Sequence, residues 1–500
     1  MSRPMKRARW VPAALVLLVG GCAVGPDFVR PGAPEVAAYS PAAGVPRTLA
    51  PGTGEAEQHL VEGDVAAAWW ELFQSPELSD AVGHAIAGNQ TLAAARATLA
   101  QAQEALIAAR GAFYPQLVVN GSAEREKTAL RGNTSTSSPP FNLFSLGPAV
   151  SYSPDVFGGT RRQVEQEAAL AENERYQLAA AYLTLTGNVV SQAIGLAGTR
   201  LEIAATNQII ADDERNLDLV RAKFDAGKAA QTDVLTAESQ LANDRVLLPP
   251  LLQQLSVANH AMAVLLGRFP ADWSPPAFDL AQLTLPGELP VTVPSALVHQ
   301  RPDILASEAQ LHAASAAVGV ATAQLYPTIT LSASVGLETF MTSGASTSTS
   351  EMWNLMSGFT APVFEGGTLR ARRRGAIDAF EGSFATYRQT VLQAFGQVAD
   401  TLEALGHDSD LVAAARRAFD VADESLKLQR LSYEAGKTDV LLLLDSERAD
   451  QQARLAYARA ETQRYQDTAQ LFVAMGGRWW AGPGFESAGD TGSRTVAAAR

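Results

Sequence analysis

Val156-Phe157-Gly158-Gly159-Thr160 returns about two hundred residues later as Val363-Phe364-Glu365-Gly366-Gly367-Thr368. Each copy opens a stretch without proline, from Thr160 to Asp225 and from Thr368 to Ala435. A helix rises 1.5 Å per residue, so each stretch can reach on the order of 95–100 Å. Helices of ordinary globular cores average about a dozen residues. Helices this long imply a coiled-coil-like or barrel-like extended structure.

Working outward, two further pairs keep the same order and nearly the same spacing. Phe113-Tyr114-Pro115 returns as Leu325-Tyr326-Pro327, and the segment Arg221 to Lys228 returns as Arg430 to Lys437. The chain is therefore two copies of one unit, too long for a solenoid repeat. Each unit begins with an Ala-rich helix, Thr91 to Phe113 or Asp303 to Leu325, that stops at Tyr-Pro because the residue before proline is pushed out of the α region. A β pair follows. In the second copy Thr328, Thr330, Ser332 and Ser334 alternate with Ile329, Leu331, Ala333 and Val335, which is the period of a strand. Leu117 to Glu124 alternates more weakly. Polar tips at 132–138 and 342–350 read as exposed loops, with returning strands at 143–152 and 353–363. The long helices end at Gly227 and Gly436, and return helices run from Thr232 to Leu266 and from Val440 to Met475. Pro249-Pro250 should break or kink the first of these.

The chain has 500 residues, a formal net charge of −13 and one cysteine, Cys22. The charge argues against nucleic acid as a partner. A single cysteine excludes a disulfide framework and a cysteine metal cluster. The six histidines are scattered, and no phosphate loop, GxSxG elbow or HExxH occurs, so the chain does not read as an enzyme and calls for no cofactor. Arg370 to Arg374 is a local basic run at the junction of strand and helix.

The N-terminus supplies an address. Arg3, Lys6, Arg7 and Arg9 precede an apolar run from Val11 to Val19, then Gly20-Gly21-Cys22. This is a secretory signal peptide, and the cysteine after two small residues resembles the bacterial lipobox, which makes Cys22 the lipidation site. The expected organisation is a signal peptide at 1–21, a lipidated extended arm at 22–65, the first repeat at 66–285, the second at 286–480 and a flexible tail at 481–500.

Four strands per unit pair cannot close a membrane barrel, whose edges must all be paired in lipid and which needs at least ~8 strands. Either several chains share one barrel, or a small soluble sheet caps a helical rod. The fold class is mainly α with a small β part.

Cys22 to Phe28 with Pro31, Trp69-Trp70 with Phe73, Arg301-Pro302-Asp303-Ile304 with Glu308, and Leu311 to Val320 running on to Tyr326-Pro327 together resemble the outer-membrane factors of tripartite efflux pumps, in the lipoprotein subgroup called the NodT group. The resemblance covers Cys22 to about Trp480. It implies a homotrimer with a shared transmembrane β-barrel, four strands per chain, and a long α-helical periplasmic barrel. It implies a periplasmic adaptor and an inner-membrane pump of the resistance-nodulation-division type as partners, with the outer membrane lipid as surroundings. The function implied is a passive exit duct for drugs and other small molecules. An exit duct for a secreted polypeptide and a lipid-anchored periplasmic coiled-coil scaffold are the alternatives.

The resemblance also assigns a periplasmic gate. Thr232, Asp233 and Tyr433 match its polar links and Asp445 one carboxylate of its aperture, while the turns at Gly227 and Gly436 match the tips that meet the adaptor. Leu442 and Thr438 stand where some members carry an acid and an arginine. The plainer alternative makes Asp233 and Asp445 solvated helix residues.

Overall fold

The computed structural model describes residues 23–36, 38–39, 48–49, 57–127, 140–342 and 347–479. The signal peptide, Cys22, the tip at 132–138 and the tail at 481–500 lie outside them. In chain order the elements are β1 (Thr48–Leu49), β2 (Gln58–Glu62), α1 (Pro76–Gly88), α2 (Gln90–Gly111), β3 (Gln116–Glu126), β4 (Phe141–Tyr152), α3 (Gly159–Asp225), α4 (Gln231–Arg245), α5 (Leu248–Leu265), β5 (Glu288–Val291), α6 (Pro294–Leu297), α7 (Pro302–Ala323), β6 (Thr328–Thr342), β7 (Thr347–Thr360), α8 (Thr368–Glu434) and α9 (Val440–Ala474). Two compact units result. One comprises the described residues within 1–31, 99–174 and 307–387, the other the described residues within 32–98, 175–306 and 388–500.

The first unit holds an antiparallel sheet in the order β3-β4-β6-β7. The registers set Leu117 opposite Val150, Val150 opposite Ala333 and Ala333 opposite Leu355. Side chains alternate across a sheet, so this row continues into Val119, Leu146, Val335, Leu337, Trp353 and Phe359 on one face. All six are exposed, Trp353 at 79%. The other face carries Asn120, Ser122, Ser145, Ser332, Ser334, Glu338 and Asn354, interspersed with the exposed Val118, Phe340, Met352 and Met356. Gly147 and Gly336 meet there, where a Cβ on Gly147 would stand 2.1 Å from the Val335 carbonyl oxygen. The strands run 11 to 15 residues, enough to cross a bilayer as tilted β-strands of ~9–11 residues.

Part of the second polar tip is strand, where the sequence predicts a loop. The hydroxyl-rich stretch at 342–350 is not all loop. β6 extends to Thr342 and β7 starts at Thr347, with Met341 opposite Thr347 and Thr339 opposite Thr349. Serine and threonine are as compatible with a ladder as with a turn, and a cross-strand hydroxyl pair at 3.1 Å joins Thr339 and Thr349.

The arm after residue 22 is stapled within the same unit. Arg162, 4% exposed, donates to the carbonyls of Val24 and Gly25 and to Asp27 and Glu165, the last two at 2.7 Å. Phe28 stacks on His312 with ring centroids 4.4 Å apart, and the His312 ring lies 3.0 Å from Glu165. Gly25, at φ +96°, approaches Gly319 so closely that a Cβ would stand 2.5 Å from its Cα. The small and aromatic residues of the arm are thus packing determinants.

In the second unit the arm region is not simply irregular, as the sequence suggests. β1 pairs with β2, and β2 pairs in parallel with β5. These strands are too short to show a period. Also unanticipated is α1, capped by the Ser75 hydroxyl on the Leu78 amide and opened by Pro76. Trp69 and Phe73 pack on Phe472, with centroids 5.5 and 6.4 Å away. Arg301 is buried, donating to Asp303 and to the Ala474 carbonyl, both at 2.7 Å. Pro249-Pro250 sits in the first turn of α5, after the break at Val246–Leu247 that separates it from α4. No described helix is long and apolar enough to cross a membrane.

Candidate functional site

The hairpin turns of the second unit carry most of the predicted gate residues. Both turns are built alike. The Gly227 amide donates to the Phe224 carbonyl and the Lys228 amide to the Lys223 carbonyl. Gly436 to Tyr433 and Lys437 to Ser432 repeat the pattern. This is the Schellman ending, whose left-handed position favours glycine. Gly227 and Gly436 sit at φ +69° and +70°, with open space where a Cβ would point.

The return helices start on aspartates. Asp233 is half-buried, and its carboxylate accepts from the Ala230 amide at 2.9 Å. Asp439 accepts from the Leu442 amide at 3.0 Å. Each carboxylate lies near a positive helix end, where the dipole favours it.

Tyr433 lies in the apolar cluster that joins the two hairpins, with Leu217 and Val220 from α3, Val234 and Leu241 from α4, and Val440 and Leu443 from α9. Its ring lies under the Lys223 ammonium, 3.5 Å from the centroid, and the ammonium also donates to the Tyr433 carbonyl. Burial and the charge of Asp233 raise the phenol pKa. Burial lowers that of Lys223, with Glu434 opposing. Lys223 was not singled out by sequence. The signal that could have found it is its place four residues before Gly227 on the repeated segment.

The other predicted residues are placed differently. Thr232 is exposed. Asp445 is exposed and paired within its own helix to Arg448 at 3.0 Å, and Arg448 also reaches Gln240 at 3.5 Å. Leu442 is 45% exposed. The Thr438 hydroxyl is buried without a hydrogen-bond partner among the described residues. Cys22 lies outside the described residues.

Further along the same helices is a buried polar layer that sequence reasoning missed. Gln451 on α9 donates to Asp244 at 2.9 Å and to Asp213 at 3.5 Å, and Gln240 donates to Asp244 at 2.7 Å. Glu447, 2% exposed, lies 3.9 Å from Arg430, which also stands 3.6 Å from Asp212. Asp450 pairs with Arg454 at 3.1 Å. Burial, against the pull of Arg430, pushes the Glu447 pKa up to about 8. Burial together with Asp244 and Glu447 moves Asp213 well up, and burial also raises Asp450. Proton-holding carboxyls can pack together where ionised ones would repel. No group of His, Cys, Asp and Glu among the described residues is arranged to hold a metal ion.

A family model described as "Outer membrane efflux protein" matches residues 81–268 and 293–477. The pyoverdine export outer membrane protein OpmQ of Pseudomonas aeruginosa is 31% identical over 423 residues, covering 82% of this chain and 87% of that protein. Nodulation protein T of Rhizobium leguminosarum bv. trifolii is 27% identical, covering 94% of this chain and 98% of that protein. Among solved structures, the outer-membrane channel OprN superposes with a TM-score of 0.83 at 28% identity, covering 92% of this chain and 100% of that one.

Proposed function

The chain belongs to the outer membrane efflux protein family, and from that membership we propose that three copies form a passive, lipid-anchored exit duct. It is an outer-membrane component of an efflux system. The family places the scaffold alternative aside. The observation that carries the proposal is the β3-β4-β6-β7 sheet, with an exposed apolar row on one face and a hydroxyl-rich opposite face. A contiguous apolar surface of this kind on a soluble protein would be an interaction site or an aggregation hazard, whereas lipid is its natural solvent. β3 and β7 end the sheet within one chain. Edges cannot stay unpaired in lipid, and three chains supply twelve strands.

The proposed partners are a periplasmic adaptor meeting the turns at Gly227 and Gly436 and an inner-membrane pump of the resistance-nodulation-division type. The proposed gate is the polar links Thr232, Asp233 and Tyr433, with Lys223 over the Tyr433 ring and Asp445 at the aperture. Adaptor contact would bind the opened hairpins better than the closed ones and so shift the population. The resident modification is acylation of Cys22, and the duct performs no catalysis. The first test is the mass of detergent-extracted protein by light scattering corrected for detergent. A trimer is expected. A monomer would leave four strands with open edges and overturn the shared barrel.

A further inference from the structure

In the first unit, β7 ends at Thr360, and Val363 and Phe364 follow at 95% and 88% exposure. α8 then starts at Thr368 and places Arg370, Arg372, Arg373 and Arg374 in its first two turns, all exposed. Among the described residues none of the four has an ion-pair partner, although Glu365 and Asp378 flank the run. A cation in the first turn of a helix, as Arg370 is, works against the dipole by ~0.3–1 kcal/mol. The run makes no ion pair among the described residues, so an anion from outside the chain would complement it.

Helical geometry separates the four. Arg370, Arg373 and Arg374 share one face with Ile377, and Arg372 points from the opposite side. Arg373, Ile377 and Phe380 line an open pocket of about 570 Å³ together with Phe28 and Val29 of the arm and Val318 of α7. The cavity's one acid, Asp27, is already paired with Arg162 at 2.7 Å. Arg373 at the edge of an apolar pocket, with Arg370 and Arg374 on the same helix face and one short connection from the lipid-facing row of β7, matches an amphiphile with an anionic head.

We propose that this face of α8 binds an anionic phospholipid of the periplasmic leaflet, its phosphate held by Arg370, Arg373 and Arg374 and an acyl chain lodged against Phe28, Ile377 and Phe380. Arginine forks match phosphate oxygens bidentately and are weakly hydrated, which suits a membrane surface. The inference rests on the membrane reading of the sheet given above.

The test uses the full-chain protein in detergent, titrated with phosphatidylglycerol, phosphatidylethanolamine or inorganic phosphate and read by native mass spectrometry. Wild type should retain phosphatidylglycerol, and the combined Arg370→Gln, Arg373→Gln and Arg374→Gln variant should lose on the order of tenfold in apparent affinity, about 1.4 kcal/mol. Arg372→Gln, on the opposite face, should bind as wild type. Equal retention by wild type and the combined variant would overturn the site, as would an equal loss from Arg372→Gln. Competition by inorganic phosphate at the lipid's own concentration would also overturn it, since a free anion would then suffice. If the combined variant misfolds by circular dichroism, Arg373→Gln alone takes its place with the same readings. Recovery in the outer-membrane fraction is scored separately, so failure of the lipid site and failure of the membrane reading remain distinct.

Discussion

Tyr433 contributes two separable things to the hairpin cluster. Its ring carries the Lys223 ammonium at 3.5 Å, and its hydroxyl supplies a polar end whose proton is held more tightly by burial and by Asp233. Tyr433→Phe keeps the ring and deletes the hydroxyl. Asp233→Ala removes the carboxylate that satisfies the Ala230 amide, the N3 half of a capping box. The double variant should therefore raise single-channel conductance in a planar bilayer while the trimer stays folded. Unchanged conductance would remove both residues from the gate. The positions of Tyr433 and Asp233 could be read from the repeated segment and its family resemblance. The Lys223 contact could not, because it joins residues more than two hundred positions apart and depends on how one hairpin is set against the other.

At the scale of the element, the long helices were legible from what they lack, since proline-free stretches bounded by glycine allow little else. Their interior was not. Apolar residues are spread around α3 and α9 with little one-sided preference, so nothing in the periodicity marks Glu447 or Asp213 as buried. The sign of the resulting pH effect is fixed by the direction of the shift. Glu447 has an ordinary value of 4.5 and is pushed up to about 8 in the folded helices. The folded state therefore holds this proton more tightly than the unfolded chain, and stability falls as pH rises between those two values. Asp213 and Asp450 shift in the same direction. The loss across the window should be about 5 kcal/mol at most for Glu447. Glu447→Gln keeps the shape and removes the titration. Its unfolding midpoint in urea, measured between pH 5 and 9, should vary less with pH than that of wild type. A slope as steep in the variant as in wild type would assign the pH dependence to other groups.

For the whole molecule the decisive question is which side of the sheet meets lipid, and adjacent residues of β7 can answer it. Leu355 lies on the apolar row opposite Ala333, and Asn354 on the other face opposite Ser334. Both sit near the middle of a strand of 14 residues. An arginine facing lipid at mid-membrane depth costs ~2–4 kcal/mol, and the cost falls toward the interfaces. An arginine facing a water-filled lumen keeps its hydration and adds one positive charge per chain. Leu355→Arg should therefore reduce the amount of assembled trimer recovered from the outer membrane. Asn354→Arg should assemble normally and shift the channel toward anions, and its reversal potential in a salt gradient would report this. If the two variants assemble equally well, the apolar row does not face lipid. The sheet would then be a soluble cap of the kind that alternation alone leaves open, because alternation fixes two faces without saying what solvates either one.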